Sequence, residues 1–258
     1  MIYSSKSNKL FVIPKPRPYP KMRLFCFPFA GGGVSTYISW ADSFPDDIEL
    51  VIIQPPGRGS RLAEDPHDNM TSLIDELMRH ADFITQQPYL LFGHSLGSRV
   101  AYELCYRLKQ NEMPLPQYFI ASGSRAPHVS KDKEMIHNLP KNEFIQALEK
   151  LNGTPRELLE NRELMDLFMS LLRADFKIAE TYLAQKCKMP FSILVLHGQD
   201  DIDIEEHQLS AWGELSDLGH HLVQLPGDHF FINQSRNEVI HQVSQRVGTA
   251  LAASYSTL

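Results

Sequence analysis

Short, unbroken apolar runs recur along the chain, each bounded by turn-forming residues: Met22–Phe27, Leu50–Gln54, Tyr89–Gly93, Tyr118–Ser122, Phe191–His197 and His221–Leu225. Runs this short, rich in Val, Ile, Leu and Phe and apolar on both faces, predict strands buried in the middle of a parallel sheet. The segments between them carry a helical period. Leu96, Val100, Leu104 and Leu108 return every fourth residue, with Ala101 and Cys105 beside them, which makes one apolar helix face. Strands alternating with helices predict an α/β protein with a mostly parallel, doubly wound sheet.

Two segments depart from that alternation. Residues 1–20 are polar and then proline-rich (Pro14, Pro16, Pro18, Pro20), and proline cannot donate a backbone hydrogen bond. They are expected to form a semi-extended arm preceding a domain that occupies residues 21–258. Between Ser122 and Phe191 no strand signal occurs. Phe144, Ile145, Leu148 and Leu151 form a helical stripe that stops at the helix-ending pair Asn152-Gly153. Thr154-Pro155-Arg156-Glu157 then reads as a capping box, and Leu164, Leu167, Phe168, Leu171 and Leu172 continue a second stripe. Helices inserted into such a sheet are expected above the carboxyl ends of the strands, where ligands bind. About residues 125–188 are therefore expected to form a lid, the plainer alternative being two extra packing helices.

Composition narrows the class of partner. Of 258 residues, 25 are Lys or Arg and 31 are Asp or Glu, so the formal net charge is −6. A mildly acidic chain offers no electrostatic footprint for nucleic acid or an anionic membrane surface. No run reaches the ~18 apolar residues of a membrane span, and the polar start Met1–Lys9 lacks the apolar centre of a signal peptide. Cys26, Cys105 and Cys187 are too sparse for a disulfide scaffold or a zinc ribbon and suit a reducing compartment. These bounds predict a cytoplasmic protein without a structural metal. Cys105 falls on the apolar helix face and is expected in the core.

The strongest chemical signal is Gly93-His94-Ser95-Leu96-Gly97, which follows an apolar run and opens the helix described above. Strand, turn and helix in that order are the context a G-x-S-x-G nucleophile elbow requires. The turn holds the serine in a strained backbone conformation, and the flanking glycines avoid clashes. A serine hydroxyl needs a base, and the base needs an orienting acid, in the chain order Ser, Asp or Glu, His. Among 11 histidines, His229 is favoured because Pro226-Gly227-Asp228-His229 turns directly after the last predicted strand, on the same sheet edge as the elbow. His220 and His221 begin that strand on the opposite edge, His197 ends the preceding one, and His94 points away from its neighbour Ser95. The acid is expected after the strand ending near Leu196, in Gly198-Gln199-Asp200-Asp201-Ile202-Asp203. The turn at Gly198 favours Asp201, with Asp200 and Asp203 as alternatives. The oxyanion needs two amides. Leu96 supplies one from a helix start. Ala30, in Phe27-Pro28-Phe29-Ala30-Gly31-Gly32-Gly33, supplies the other, with Phe29 as the alternative. A phosphate-cradling reading of those glycines lacks the Lys-Ser/Thr of a P-loop and any G-x-G-x-x-G. Pro55-Pro56-Gly57-Arg58-Gly59-Ser60-Arg61 reads by itself as a surface loop.

Taken together, Phe25-Cys26-Phe27-Pro28-Phe29-Ala30-Gly31-Gly32, Gln54–Arg61, Gly93–Gly97, Gly198–Asp201 and Pro226–Phe231 resemble the type II thioesterases. These are stand-alone α/β-hydrolases that serve nonribosomal peptide and polyketide synthases. The likeness covers roughly residues 20–245 and is carried most specifically by the F-P-x-A-G-G and P-G-R-G-x-R pieces. It implies an α/β-hydrolase fold with a helical lid insertion, and hydrolysis of acyl thioesters on the phosphopantetheine arm of carrier proteins. Stalled or misloaded acyl groups would be removed. Residue by residue it implies Ser95 as nucleophile, Asp201 as acid, His229 as base, and the Ala30 and Leu96 amides as oxyanion hole. It also implies acyl-loaded carrier domains as partners, a monomer, and no cofactor beyond the phosphopantetheine of the substrate. The alternatives are a carboxylesterase or lipase acting on free oxygen esters, a medium-chain fatty acyl-carrier thioesterase, and a non-catalytic module that only docks.

Overall fold

The computed structural model describes residues 9–130, 135–151, 153 and 159–255. At its centre is a seven-stranded sheet of β1 (Phe11–Val12), β2 (Met22–Phe27), β3 (Ile48–Ile53), β4 (Tyr89–His94), β5 (Tyr118–Ser122), β6 (Ile193–Gly198) and β7 (His220–Leu225), ordered β1-β3-β2-β4-β5-β6-β7. β1 runs antiparallel to β3 and every other pair is parallel. Around it lie α1 (Met70–Met78), α2 (Ala81–Thr85), α3 (Leu96–Gln110), α4 (Lys141–Lys150), α5 (Arg162–Thr181), α6 (Glu206–Ser210), α7 (Phe231–Gln234) and α8 (Arg236–Tyr255). This is the doubly wound α/β-hydrolase architecture.

β2, β3, β4 and β6 are buried at every position because both sheet faces are covered there. β7, whose run was expected in the middle of the sheet, lies instead at its edge and is only partly buried. Phe25, Phe27, Val51, Ile53, Leu91 and Phe119 pack on one side with Leu73, Leu77, Val100, Leu104 and Cys105 of α1 and α3. Leu24, Cys26, Leu50, Ile52, Leu90 and Phe92 pack on the other with Trp40 and with Val239, Val243 and Val247 of α8. From β2 the chain winds to β3 on one side and β4 on the other, so the winding reverses between the carboxyl ends of β2 and β4. Open α/β sheets bind ligands at such a crevice. Phe27 pairs with Gly93 in register, so the loop after β2 and the turn after β4 start side by side.

Three further expectations need correction. The arm does not wholly precede the domain: β1 pairs with β3, and Leu10 and Phe11 are buried. An edge strand needs only a few ladder bonds, and the four apolar residues Leu10–Ile13 ahead of the prolines suffice. Beyond them Arg17 bonds to the carbonyls of Ala41 and Phe44. The loop Pro55–Arg61 is not a surface feature, since Arg58 and Arg61 are only 6% and 8% exposed. Leu164 and Leu167 do not belong to the buried stripe of α5. They are exposed, and Met165, Leu171, Leu172 and Ile178 face inward instead. The capping box at Thr154–Glu157 lies outside the described residues, as does Asn152.

The insertion between β5 and β6 carries a small core of its own, where Phe144, Leu148, Met165 and Leu172 bring α4 against α5. Polar ties close it. The Arg173 guanidinium donates to the carbonyls of His137 and Leu139 and lies over the Phe144 ring. Glu180 accepts the amides of Ile136 and His137. Gly153 passes so close to Phe230 that a Cβ there would meet the ring at 1.9 Å, which sets the insertion beside the loop carrying His229. Among the described residues no helix is long and apolar enough to cross a membrane.

Candidate active site

Ser95 sits between β4 and α3 with φ 53°, ψ −115°, one of two non-glycine residues with positive φ among those described. The turn is tight because helix and strand nearly touch. A Cβ at Gly93 would lie 2.4 Å from the backbone of Gly97, and one at Gly97 would lie 2.1 Å from the Phe27 carbonyl oxygen. Local bonds hold the strain. The Ser95 amide donates to the Ser122 carbonyl at 2.8 Å, and the Ser98 hydroxyl donates to that of Gly93 at 2.7 Å.

β6 and β7 end side by side, with Gly198 opposite Leu225. Asp201 and His229 follow within a few residues of those ends and therefore meet. His229 Nδ1–H donates to Asp201 Oδ2 at 2.7 Å, and His229 Nε2 lies 3.0 Å from Ser95 Oγ, placed to accept its proton. Of the three neighbouring aspartates, Asp201 makes the contact. Its side chain is 1% exposed, and its other oxygen accepts the Asp203 amide at 3.1 Å. Burial pushes the Asp201 carboxyl upward, but the hydrogen bond from His229, the attraction of that ring and the Asp203 amide outweigh it. The net displacement is below the usual carboxylate value. The structure thus brings Ser95, His229 and Asp201 into one hydrogen-bonded line. His220 and His221 stay at the far end of β7, and His197 is not part of the line.

His94 does more than point away from Ser95, and sequence reasoning missed its task. It is fully buried at the end of β4, where Nε2 lies 2.9 Å from the carbonyl oxygen of His229 and Nδ1 lies 2.9 Å from Ser122 Oγ. A carbonyl only accepts, so Nε2 carries the proton and Nδ1 accepts from the hydroxyl. Burial, reinforced by the nearby His229, pushes the His94 pKa down to about 3. The ring is therefore a neutral strut between strand and base loop. Phe29, Phe230 and Phe231 pack around it at ring separations of 5.3–6.4 Å. The only hint in the sequence was a histidine within an otherwise apolar strand end.

Leu96 opens α3, where helix-start amides lack intrahelical acceptors. Ala30 lies in the turn after β2, which packs against the elbow at Gly97. An apolar recess beside the elbow is lined by Phe27, Pro28, Leu73, Leu96 and Val100, with Arg58 and Asp175 at its wall. No group of three or more His, Cys, Asp or Glu able to hold a metal occurs among the described residues.

A strained serine on a strand–turn–helix elbow, reached by a histidine that a buried aspartate holds, defines a serine hydrolase on an α/β-hydrolase fold. A family model described as Thioesterase domain matches residues 22–247. The chain is 35% identical to the gramicidin S biosynthesis protein GrsT of Aneurinibacillus migulanus, over 98% of this chain and 99% of that one. Among solved structures, the type II thioesterase BorB from the borrelidin biosynthetic cluster is 28% identical with a TM-score of 0.84, covering 93% of this chain and 98% of that one. YbtT, the type II thioesterase of the yersiniabactin NRPS/PKS pathway, is 30% identical with a TM-score of 0.81, covering 93% and 99%. The chain belongs to the thioesterase family, as a type II thioesterase, and is a serine hydrolase that cleaves thioesters.

Proposed function

We propose that this enzyme hydrolyses acyl thioesters on the phosphopantetheine arm of carrier domains in a nonribosomal peptide or polyketide synthase, clearing misloaded or stalled acyl groups in the cytoplasm. The observation that carries the reading is the unbroken contact line from Ser95 through His229 to Asp201, in a chain whose relatives serve such pathways. The triad is complete within one chain, so the reading needs no second copy and no cofactor other than the arm the substrate brings.

His229 takes the proton of Ser95 Oγ on Nε2 while Asp201 holds Nδ1–H and stabilises the resulting imidazolium. The oxygen attacks the thioester carbonyl, and the tetrahedral oxyanion is received by the amides of Ala30 and Leu96. The pantetheine thiol leaves with the proton from His229. Water, deprotonated by the same imidazole, then releases the acid and restores Ser95. The insertion acts as a lid over the acyl group, and the recess beside the elbow offers that group an apolar wall.

The test is mass spectrometry of an acyl-loaded carrier protein incubated with the enzyme or with Ser95→Ala. The native enzyme is expected to return the free phosphopantetheine thiol, and the variant to leave the carrier loaded. A higher kcat/KM for a matched free oxygen ester than for the carrier thioester would overturn the carrier-bound reading.

A further inference from the structure

The turn that carries Ala30 is held by two charged side chains outside the triad. The Gly32 amide donates to the Phe29 carbonyl at 2.8 Å, closing a turn over Phe29-Ala30-Gly31-Gly32, and Gly31 in its third position has φ +76°. A positive φ there marks a type II turn. In the type I alternative the middle peptide, which joins Ala30 to Gly31, is rotated by about half a turn, and a glycine tolerates both. The choice is made from outside. Asp175 Oδ2, on α5 of the insertion, accepts the Gly31 amide at 2.7 Å, and a flipped peptide would aim the Ala30 carbonyl at that carboxylate instead. Arg58 completes the frame: one guanidinium nitrogen donates to the Gly32 carbonyl at 2.8 Å, the other to Asp175 Oδ1 at 2.8 Å. Leu172, one helical turn before Asp175, covers Gly31 so closely that a Cβ there would meet it at 2.7 Å.

We infer that Asp175 and Arg58 are positioning residues for the oxyanion turn, so that the oxyanion site is complete only while α5 is seated on it. The inference rests on the assignment of the Ala30 amide to the oxyanion. Neither side chain touches the reacting atoms. Asp175 holds the Ala30–Gly31 peptide and Arg58 holds the Gly32 carbonyl, and the turn they fix orients the Phe29–Ala30 peptide that carries the Ala30 N–H. The coupling gives the insertion a role in the chemistry as well as in covering the acyl group. A buried ion pair that merely tied the insertion to the body would affect folding but would not select one orientation of this peptide.

Asp175→Asn separates the two. The amide keeps the shape but has one oxygen for two donors, so either Gly31 or Arg58 faces an N–H group. With a short-chain acyl-N-acetylcysteamine thioester, kcat is expected to fall about 10- to 100-fold with KM within about threefold, the scale of a small misplacement at a reacting centre. Affinity for a trifluoromethyl ketone carrying the same acyl chain should fall by the same factor as kcat/KM, because its tetrahedral adduct uses the same amides. Arg58→Lys, which keeps the charge and loses the fork, should show a smaller loss of the same kind, and it serves if Asp175→Asn fails to fold. The double variant should lose no more than the worse single, as groups acting as one unit do.

A folded variant that keeps kcat within threefold, that changes KM alone, or that loses kcat with unchanged ketone affinity overturns the inference. Ala30→Pro checks what lies beneath it: proline suits the second position of a type II turn but removes the amide hydrogen. Normal turnover by that variant would remove Ala30 from the oxyanion site and the inference with it. An inactive Ala30→Pro beside an unaffected Asp175→Asn would remove only the inference.

Discussion

The sheet and the insertion are built to different standards. Strands β2, β3, β4 and β6 are buried at every position, packed from both faces by two large clusters. The insertion has four buried residues in its own cluster, leaves Leu164 and Leu167 exposed at 40% and 52%, and meets the body through Leu171, Leu172, Ile178 and the Asp175–Arg58 pair. Ser95, Asp201 and His229 all hang from the ends of the well-buried strands β4 and β6 and their neighbour β7. Parts that must align to fractions of an ångström stand on the rigid region. The insertion, proposed above as a lid, is the less buried region, where local opening should cost less free energy than unfolding.

The largest effect should come from the rigid region's chemistry. Ser95→Ala is expected to lower thioesterase turnover by about 10⁵- to 10⁶-fold while the far-ultraviolet circular dichroism and Tm stay close to native; substantial residual hydrolysis would remove Ser95 as nucleophile. Next comes its packing. Leu91→Ala, in the centre of the sheet, should cost about 3–5 kcal/mol of global stability in urea unfolding. Leu148→Ala in the insertion removes a similar side chain, yet it should leave the global transition nearly unmoved and instead speed hydrogen exchange within α4 and α5. Equal losses from the two substitutions would erase the contrast between the regions.

His94 offers a finer probe. Its pKa is depressed to about 3, so the folded protein binds fewer protons there than the unfolded chain. Its contribution is fully present above the unfolded value of about 6.5 and is lost as pH falls through about 3, on the order of 5 kcal/mol in all. His94→Gln should flatten the decline of Tm across that window and slow turnover about tenfold by freeing the His229 carbonyl. An unchanged acid profile would mean that this ring is not what titrates. The smallest expected effect is Leu167→Ser, within about 0.5 kcal/mol by denaturant titration, because that side chain already faces solvent.

The parallel strands were legible because burial on both faces leaves an unbroken apolar run, and the elbow was legible because its two glycines answer to a clash only one turn long. Asp201 could be preferred over Asp200 and Asp203 on turn geometry. Their separation became visible only where the ends of β6 and β7 lie paired. The β1 strand was hidden because its two residues are too few to show a period. The burial of Arg58 was hidden because its partner, Asp175, lies 117 residues away. Leu164 and Leu167 were misplaced because a helical stripe marks a face without saying how much of its length is covered.

The chain by itself determined the α/β class, the serine and its strained turn, and the order in which acid and base follow it. These depend on neighbours within a few residues, where backbone sterics and side-chain period act directly. The tertiary structure alone decided which aspartate meets the imidazole, that His94 braces the base loop, and that a carboxylate from the insertion holds the turn after β2. Each of those is a contact between groups far apart in sequence. Its partner is chosen by how strand ends and helices come to rest against one another, and no local pattern records that.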